Sequence, residues 1–368
     1  MRLFDKRIIS HFDYLLIIFI LPLVLLSYNL ISETNTTLAN KQLIYFSISL
    51  IAFIVVFILP IRRNIRIIPL LYWIGIFLLL AVEFWGVTKL GAKRWLSLPL
   101  MGMTIQPSEL FKPVFILMLG HLIQNRQPEK GGYNFKDFVY FSFFILLPFF
   151  LIAKEPDLGT ALVLLLVGYG ILFIIGVNWK IWAGIFLVIG LASPLIYTYM
   201  IKDYQKKRIK DFLSEKPSYQ VQQSIIAIGN GGLLGKEAED ATQSQLKFLP
   251  IATSDFIFAY FVERYGFLGA FGLIVIYALL ILHLLSLNYY FQDDFVIRSF
   301  ASGLGLLIFL NMSVNILMVI GYAPVVGLPL PMFSYGGSSF INFIVLFAIL
   351  ENLLAFRFMD MYSFERRL

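Results

Sequence analysis

Ten stretches of mostly apolar residues dominate this sequence, each near the roughly 20 residues a helix needs to cross a hydrocarbon core. They are Asp13–Ile31, Gln42–Pro60, Ile67–Gly86, Pro107–Gln124, Asp137–Ala153, Leu158–Val177, Ile181–Met200, Phe256–Leu287, Ile297–Tyr322 and Ser339–Phe356. Backbone polar groups in lipid must be satisfied within the spanning segment, which leaves few architectures open. The expectation is an all-α polytopic membrane protein: a bundle of ten transmembrane helices forming one integral-membrane unit over residues 1–368, with a long extracytoplasmic loop, about 201–255, between helices seven and eight. Hydrophobic residues make up 59% of the chain and charged residues 14%, against about 45–50% and about 25% in soluble domains. The first run lacks a small-residue cleavage site and reads as a retained helix. Only Asn178, Trp179 and Lys180 separate the sixth and seventh runs, which predicts a tight hairpin. The eighth exceeds a bilayer's needs. Glu263 and Arg264 interrupt its first third, so its beginning is expected to project above the membrane or line a cavity.

Charge sets the orientation through Lys and Arg in short loops. Arg2, Lys6 and Arg7 precede the first run, Arg62, Arg63 and Arg66 follow the second, and only Lys41 lies between. Both termini are therefore expected inside. The cations Lys202, Lys206, Lys207, Arg208 and Lys210 then fall outside, in a loop long enough to escape the rule. This topology gathers the unusual polar segments, in the third, fifth, seventh and ninth connections, on the outer face. A net charge of +7 suits anionic headgroups or diphosphates. With so little soluble surface, no nucleic-acid partner is expected. The absence of Cys excludes disulfides, thiolate metal sites and a cysteine nucleophile, and His11, His121 and His283 are too scattered for a histidine metal cluster.

One segment, Gly229 to Glu263, reads unlike the rest. A glycine cluster (Gly229, Gly231, Gly232, Gly235) leads into Thr242, Gln243, Ser244 and Gln245, and Asp255 stands just before an apolar helix. An acid at an outward cavity is a candidate reactive group, although the position also suits an N-cap. Glu263, eight positions on, lies ~12 Å along a straight helix and cannot share a proton with it. The third connection, Gly91–Pro113, holds Pro107 at a helix start, with Glu109 and Lys112 on one face; they form either a neutralising pair or a functional one. Lys93 and Arg94 beside Trp95 look like an interfacial anchor. In Lys154–Leu162, Asp157 precedes a helix as a cap would. The ninth connection, Ala323–Ser339, carries Pro324, Pro329 and Pro331. It cannot be regular helix, and irregular backbone at membrane depth argues for a cavity. Tyr204–Tyr219 mixes cations with apolar residues and reads as an amphipathic helix on headgroups.

The fragments GAKRWL, QPSELFK, KEPDLGTAL, IAIGNGGLLG, TQSQLKFLP, SDFIFA and LPLPMFSYGGSS, taken in order, resemble the SEDS family (shape, elongation, division and sporulation) of peptidoglycan glycosyltransferases, and its rod-shape-determining branch above its division branch. The resemblance implies ten membrane helices around an outward cavity. It implies polymerisation of lipid II, a disaccharide-pentapeptide on undecaprenyl diphosphate, with a class B penicillin-binding transpeptidase and other elongation-complex membrane proteins as partners. By the same resemblance Asp255 matches the family's essential acid. The resemblance also matches Glu109, Lys112 and Asp157 to cavity positions and Arg94 to a recurrent arginine, and Lys154, Glu263 and Ser338 are expected to join them as substrate-cavity candidates. The chain departs from the family where Ile251, Thr253, Ser254 and Arg264 stand in place of Glu, His, Thr and Glu.

The reaction expected is attack by a sugar hydroxyl of one lipid-linked unit on the anomeric carbon of another, with Asp255 as base and the lipid diphosphate leaving. Lys112, Arg94, Lys154 or a divalent cation, Mg or Mn, would neutralise the diphosphate, with Glu109, Asp157 and Asp255 as candidate metal ligands. No organic cofactor is expected. A lipid II flippase, whose site would sit near mid-membrane, is the rival; only Asn311 and Asn315 are polar there. A non-catalytic scaffold is a third reading.

Overall fold

Polar side chains immediately before the apolar runs start most of the helices, each accepting a hydrogen bond from an otherwise orphan backbone N–H. Asp13 accepts from Leu15 N, opening α1 (Tyr14–Thr34), and Asn35 from Leu38 N, opening α2 (Thr36–Ile58). A proline in the first turn begins both α3 (Ile68–Trp85) and α4 (Pro107–Asn125), where its missing N–H costs nothing. Asn134 caps α5 (Phe135–Lys154), Asp157 caps α6 (Leu158–Ile175), and α7 (Trp179–Leu195) follows across a short turn. The chain continues through α8 (Tyr219–Gly231), α9 (Ile257–Tyr290), α10 (Phe295–Val319, capped by Asp294) and α11 (Gly337–Ala355). This computed structural model describes residues 8, 10–89, 92–98, 103–129, 131–155, 157–195, 198, 206, 210, 212, 217–241 and 253–357.

The protein is an all-α polytopic membrane protein in its bulk: eight of these helices are long and apolar enough to cross a membrane. The fourth and seventh expected runs also form helices. However, α4 is mixed in character and α7 spans 17 residues. The reason for α4 is its position. Phe111, Phe115, Ile116, Leu119 and Ile123 are all buried, and so are Ser108, Glu109 and Lys112, so this helix faces protein on nearly every side. The core runs through α4, α6, α9, α10 and α11, with Leu304, Leu307, Ile308, Phe343, Leu346 and Leu350 among its fully enclosed side chains.

Two features depart from the sequence reading. Between α3 and α4 the chain forms a small antiparallel sheet in the order β1-β2-β3: Val87–Lys89, Ala92–Leu98 and Met103–Ile105. Val87 pairs with Trp95 and Leu96 with Ile105, so the segment read as an interfacial anchor satisfies its backbone by strand pairing. In the long loop, an amphipathic helix was expected over Tyr204–Tyr219, most of which lies outside the described residues. The helix seen is α8, just beyond it. Thr242, Gln243, Ser244 and Gln245 also lie outside the described residues.

The glycine cluster has a packing purpose. After α8 the chain turns and docks against a break in α9 at Gly266 (φ 65°, ψ −167°). Lys236 N donates to Glu263 O, Phe267 N to Gly232 O and Leu268 N to Leu233 O. Gly235 adopts φ +86°, and a Cβ there would lie 2.2 Å from Arg264 O. We therefore expect Gly235→Ala to cost at least about 1–3 kcal/mol from backbone strain alone. It should lower the Tm of the purified protein clearly, whereas Gly229→Ala, which meets nothing within 4 Å, should not.

Candidate functional site

Asp255 sits on a short turn immediately before α9, and three consecutive carbonyls of that turn are tied to other segments. Thr253 O accepts from Tyr335 N at 2.8 Å, Ser254 O from Ser334 Oγ at 2.7 Å, and Asp255 O from Asn315 Nδ2 at 2.9 Å. Asn315 also donates to Leu328 O at 2.7 Å, and Ser334 Oγ accepts from Leu330 N at 2.8 Å. The non-helical segment 323–336 is thus stitched to the acid-bearing turn. The prolines keep this segment irregular, and Met332 is forced to φ 60° within it. The Asp255 carboxylate faces Gly327, where an added Cβ would stand 3.5 Å from Oδ2. Burial raises the Asp255 pKa above the ordinary carboxylate value, and the Ser254 hydroxyl opposes the rise by hydrogen bonding.

A second cluster forms where three elements start or turn. Asp157, the cap of α6, accepts from Thr160 N at 3.3 Å and from Gln106 Nε2 at 3.1 Å. Its Oδ1 lies 3.6 Å from an Arg94 guanidinium nitrogen. Arg94 reaches it from β2 and Gln106 from the residue before α4. One turn into α4, Lys112 Nζ meets Glu109 Oε1 at 2.5 Å, with both side chains buried. Glu109 Oε2 is buried without a hydrogen-bond partner. The two clusters flank one segment: Gly159, just inside α6, lies so near Val326 that a Cβ would approach it to 2.4 Å, and Gly327 faces Asp255.

The structure thus brings Arg94 to Asp157 and Glu109 to Lys112, and places Asp255 on the far side of Val326–Gly327. Lys154 does not join them. It is exposed and pairs with Glu83 at the end of α3, at 3.0 Å. Glu263 is fully buried in the first part of α9, where the sequence led to the expectation of a segment above the membrane or lining a cavity. Ser338 is exposed in the first turn of α11. Arg264, at a departure from the family pattern, pairs with Glu33 at the end of α1, Nε to Oε2 at 2.7 Å, and also donates to Lys236 O. Among the described residues, no three His, Asp or Glu side chains converge as a metal site. Glu109, Asp157 and Asp255 therefore do not fit a joint three-carboxylate cage.

Two participants escaped the sequence reading. Gln106, which bridges to Asp157 from just before α4, was not singled out in the sequence. Glu155, following α5, is buried with both carboxylate oxygens unpartnered. Burial first, then the charges of Asp157 and Glu83, push its pKa to about 8, against the pull of Arg94. Because the folded chain holds this proton to about pH 8 while the unfolded chain releases it near 4.5, stability falls as pH rises through that window. Glu155→Gln should remove the fall: its Tm at pH 8.5 should exceed that of the parent protein, with the gap closing below pH 5.

A family model for cell cycle proteins, covering FtsW, RodA and SpoVE, matches residues 3–358, and the chain belongs to this family. Its relatives include the peptidoglycan glycosyltransferase MrdB of Helicobacter pylori (strain ATCC 700392 / 26695), 53% identical over 98% of this chain and 94% of the relative. MrdB of Escherichia coli K12 is 35% identical over 93% of each chain. Among solved structures, one chain of a peptidoglycan synthase complex that coordinates polymerization and crosslinking superimposes with a TM-score of 0.82 at 26% identity, covering 95% of this chain and 99% of that one. The rod shape determining protein RodA of Thermus thermophilus superimposes with a TM-score of 0.71 at 25% identity, covering 94% and 98%.

Proposed function

We propose that the protein is a peptidoglycan glycosyltransferase that polymerises lipid II into glycan strands during cell elongation. Beyond family membership, the observation that carries this reading is Asp255: a half-buried acid with a raised pKa, held by three backbone carbonyls against an irregular Pro-rich segment. A carboxylate whose burial makes it a stronger base than an exposed aspartate suits the deprotonation of a sugar hydroxyl. In this reading Asp255 takes the proton of the acceptor hydroxyl as that oxygen attacks the anomeric carbon of the donor. The C–O bond to undecaprenyl diphosphate breaks, and the diphosphate leaves with the bonding pair. Arg94, partly exposed and already beside Asp157, faces the departing charge. Lys112 lies deeper, paired with Glu109, and acts through that pair. Ten membrane spans, termini in the cytoplasm and a cavity on the outer side of the inner membrane complete the proposal.

The flippase alternative needs polar groups offered to cargo at mid-membrane. Asn311 Nδ2 donates to Leu307 O, and Asn315 Nδ2 to Asp255 O and Leu328 O, so both amide donors serve the protein's own backbone. The fold neighbour from a synthase complex supports a class B penicillin-binding partner, while the other elongation-complex proteins rest on the family resemblance.

The test is incubation of the purified protein with labelled lipid II, alone and with its transpeptidase. Polymeric glycan is the expected product, and lipid II moved between leaflets without polymer would sink the reading. A divalent ion, Mg or Mn, is proposed as a companion of the diphosphate: such ions take one or two protein carboxylates and complete their shell with phosphate and water oxygens. Chelation should therefore lower the rate and Mg restore it. Undiminished activity in chelator would leave diphosphate neutralisation to the protein's cations.

A further inference from the structure

We infer that Glu33, at the end of α1, is a positioning residue for Asp255: through Tyr260 and Arg264 it fixes the short first part of α9, the piece of helix that the acid precedes. Helix α9 is broken at Gly266 (φ 65°, ψ −167°), so residues 257–265 are not continuous with the long remainder. Contacts from other elements must therefore set the angle of this piece. Glu33 supplies them from α1. Its Oε2 accepts from Tyr260 Oη at 2.9 Å and from Arg264 Nε at 2.7 Å, and its Oε1 accepts from Arg264 Nη2 at 2.9 Å. Tyr260 and Arg264 are four residues apart and share a helix face, so one carboxylate grips two successive turns. Two parallel N–H···O bonds to a guanidinium fix its orientation as well as its distance. The remaining guanidinium nitrogen donates to Lys236 O, and Lys236 N donates to Glu263 O at 3.0 Å, which closes the clasp through the glycine turn.

The same end of α1 also supports the other side of the acid's turn. Ser27 Oγ donates to Phe333 O at 2.6 Å, and the Phe333 ring meets Phe261 edge-on at 5.3 Å. The next two residues, Ser334 and Tyr335, are those that donate to Ser254 O and Thr253 O. The last two turns of α1 thus brace both the segment that holds the Asp255 turn and the helix piece that follows it. No described hydrogen bond joins Glu33 to Asp255, so Glu33 acts through Tyr260 and Arg264. Arg264 is one of the positions where the chain departs from the family pattern, so the resemblance does not imply this clasp. A base displaced by about 1 Å can lose about 10²-fold in rate, which makes the angle of this helix piece matter. The inference rests on the reading of Asp255 as the base.

The purified full chain with labelled lipid II tests it. Glu33→Gln keeps the size of the side chain and removes its charge. Its kcat should fall about 10- to 100-fold, while KM should change by less than about twofold because no substrate contact is lost. Burial and the Ser254 hydroxyl are the influences on the Asp255 carboxylate. A loosened turn admits water to it, so the pH limb of activity should move down toward that of an exposed aspartate. Loss of folded protein alone would lower kcat without moving the limb. Arg264→Glu sets two carboxylates face to face and should be at least as slow, and Glu33→Arg/Arg264→Glu should recover the rate to within about threefold. If Glu33→Gln does not fold, Tyr260→Phe removes a single hydroxyl and should move the limb in the same direction by less. Hydrogen exchange gives a readout independent of activity: amides of residues 256–262 should exchange faster in Glu33→Gln, and those of α10 should not. A parent protein that made no polymer would remove the glycosyltransferase reading, and exchange alone would then decide whether Glu33 holds the turn. An unchanged rate and limb in folded Glu33→Gln, no recovery in the charge swap, or unchanged exchange over 256–262 would each overturn the assignment.

Discussion

Replacing Asp255 with Asn is expected to slow lipid II polymerisation by about 10²–10⁴-fold, the range typical of a removed general base, while leaving Tm nearly unchanged. The substitution keeps the shape of the side chain, and the three hydrogen bonds that anchor the turn run to backbone carbonyls, which it does not touch. The pH profile adds a second readout. Burial holds the proton on Asp255 above the ordinary carboxylate range, so the active ionised form appears later on the pH axis. Activity of the parent protein should therefore climb with pH along a limb displaced upward from that of an exposed aspartate. Ser254→Ala removes the hydroxyl that opposes this shift and should move the limb further up. A full rate in Asp255→Asn would take Asp255 out of the reaction; a limb at the ordinary position would show that its burial has no effect on catalysis.

What could be read from the sequence was whatever depends on local pattern. Apolar runs marked where most of the helices lie, because length and hydropathy alone decide whether a segment can lie in lipid, although α2 begins six residues before its run and α8 had no run to announce it. The Glu109–Lys112 pair followed from i, i+3 geometry and Asp157 as a cap from its place before α6, and both contacts form. The Pro-rich connection was legible as irregular backbone for the same reason. Contacts set by tertiary approach were not legible. Nothing near Lys154 announces Glu83, which is 71 positions away, and nothing near Arg264 announces Glu33. Glu155 was not singled out, since its burial and the charges of Asp157, Arg94 and Glu83 around it appear only in the folded chain. The small sheet was hidden because its strands are three to seven residues long and carry charges that look interfacial. The glycines of 231–235 announced a turn but not its partner, the break at Gly266.

The second large effect is expected at the Glu109–Lys112 pair, where stability and function can be separated. Removing one partner of a buried ion pair leaves the other uncompensated and costs about 3–5 kcal/mol, whereas replacing both with neutral groups of similar volume is often close to neutral. Lys112→Met alone should therefore lower Tm sharply, because Glu109 has one oxygen already without a partner and would lose its only cation among the described residues. The double variant Glu109→Gln/Lys112→Met should recover most of that Tm. If the pair exists only to neutralise itself inside α4, lipid II polymerisation should recover with it. If Lys112 helps to hold positive charge behind the diphosphate, the recovered protein should still polymerise at least about tenfold more slowly, a loss of about 1.4 kcal/mol in transition-state stabilisation. The position of the pair favours the second outcome. It lies one turn below Gln106, which bridges to Asp157 and so to Arg94, placing Lys112 beneath the cluster that faces the leaving group. Restored Tm together with an unimpaired rate would reduce the pair to a structural element and leave Arg94 as the only described cation at the site.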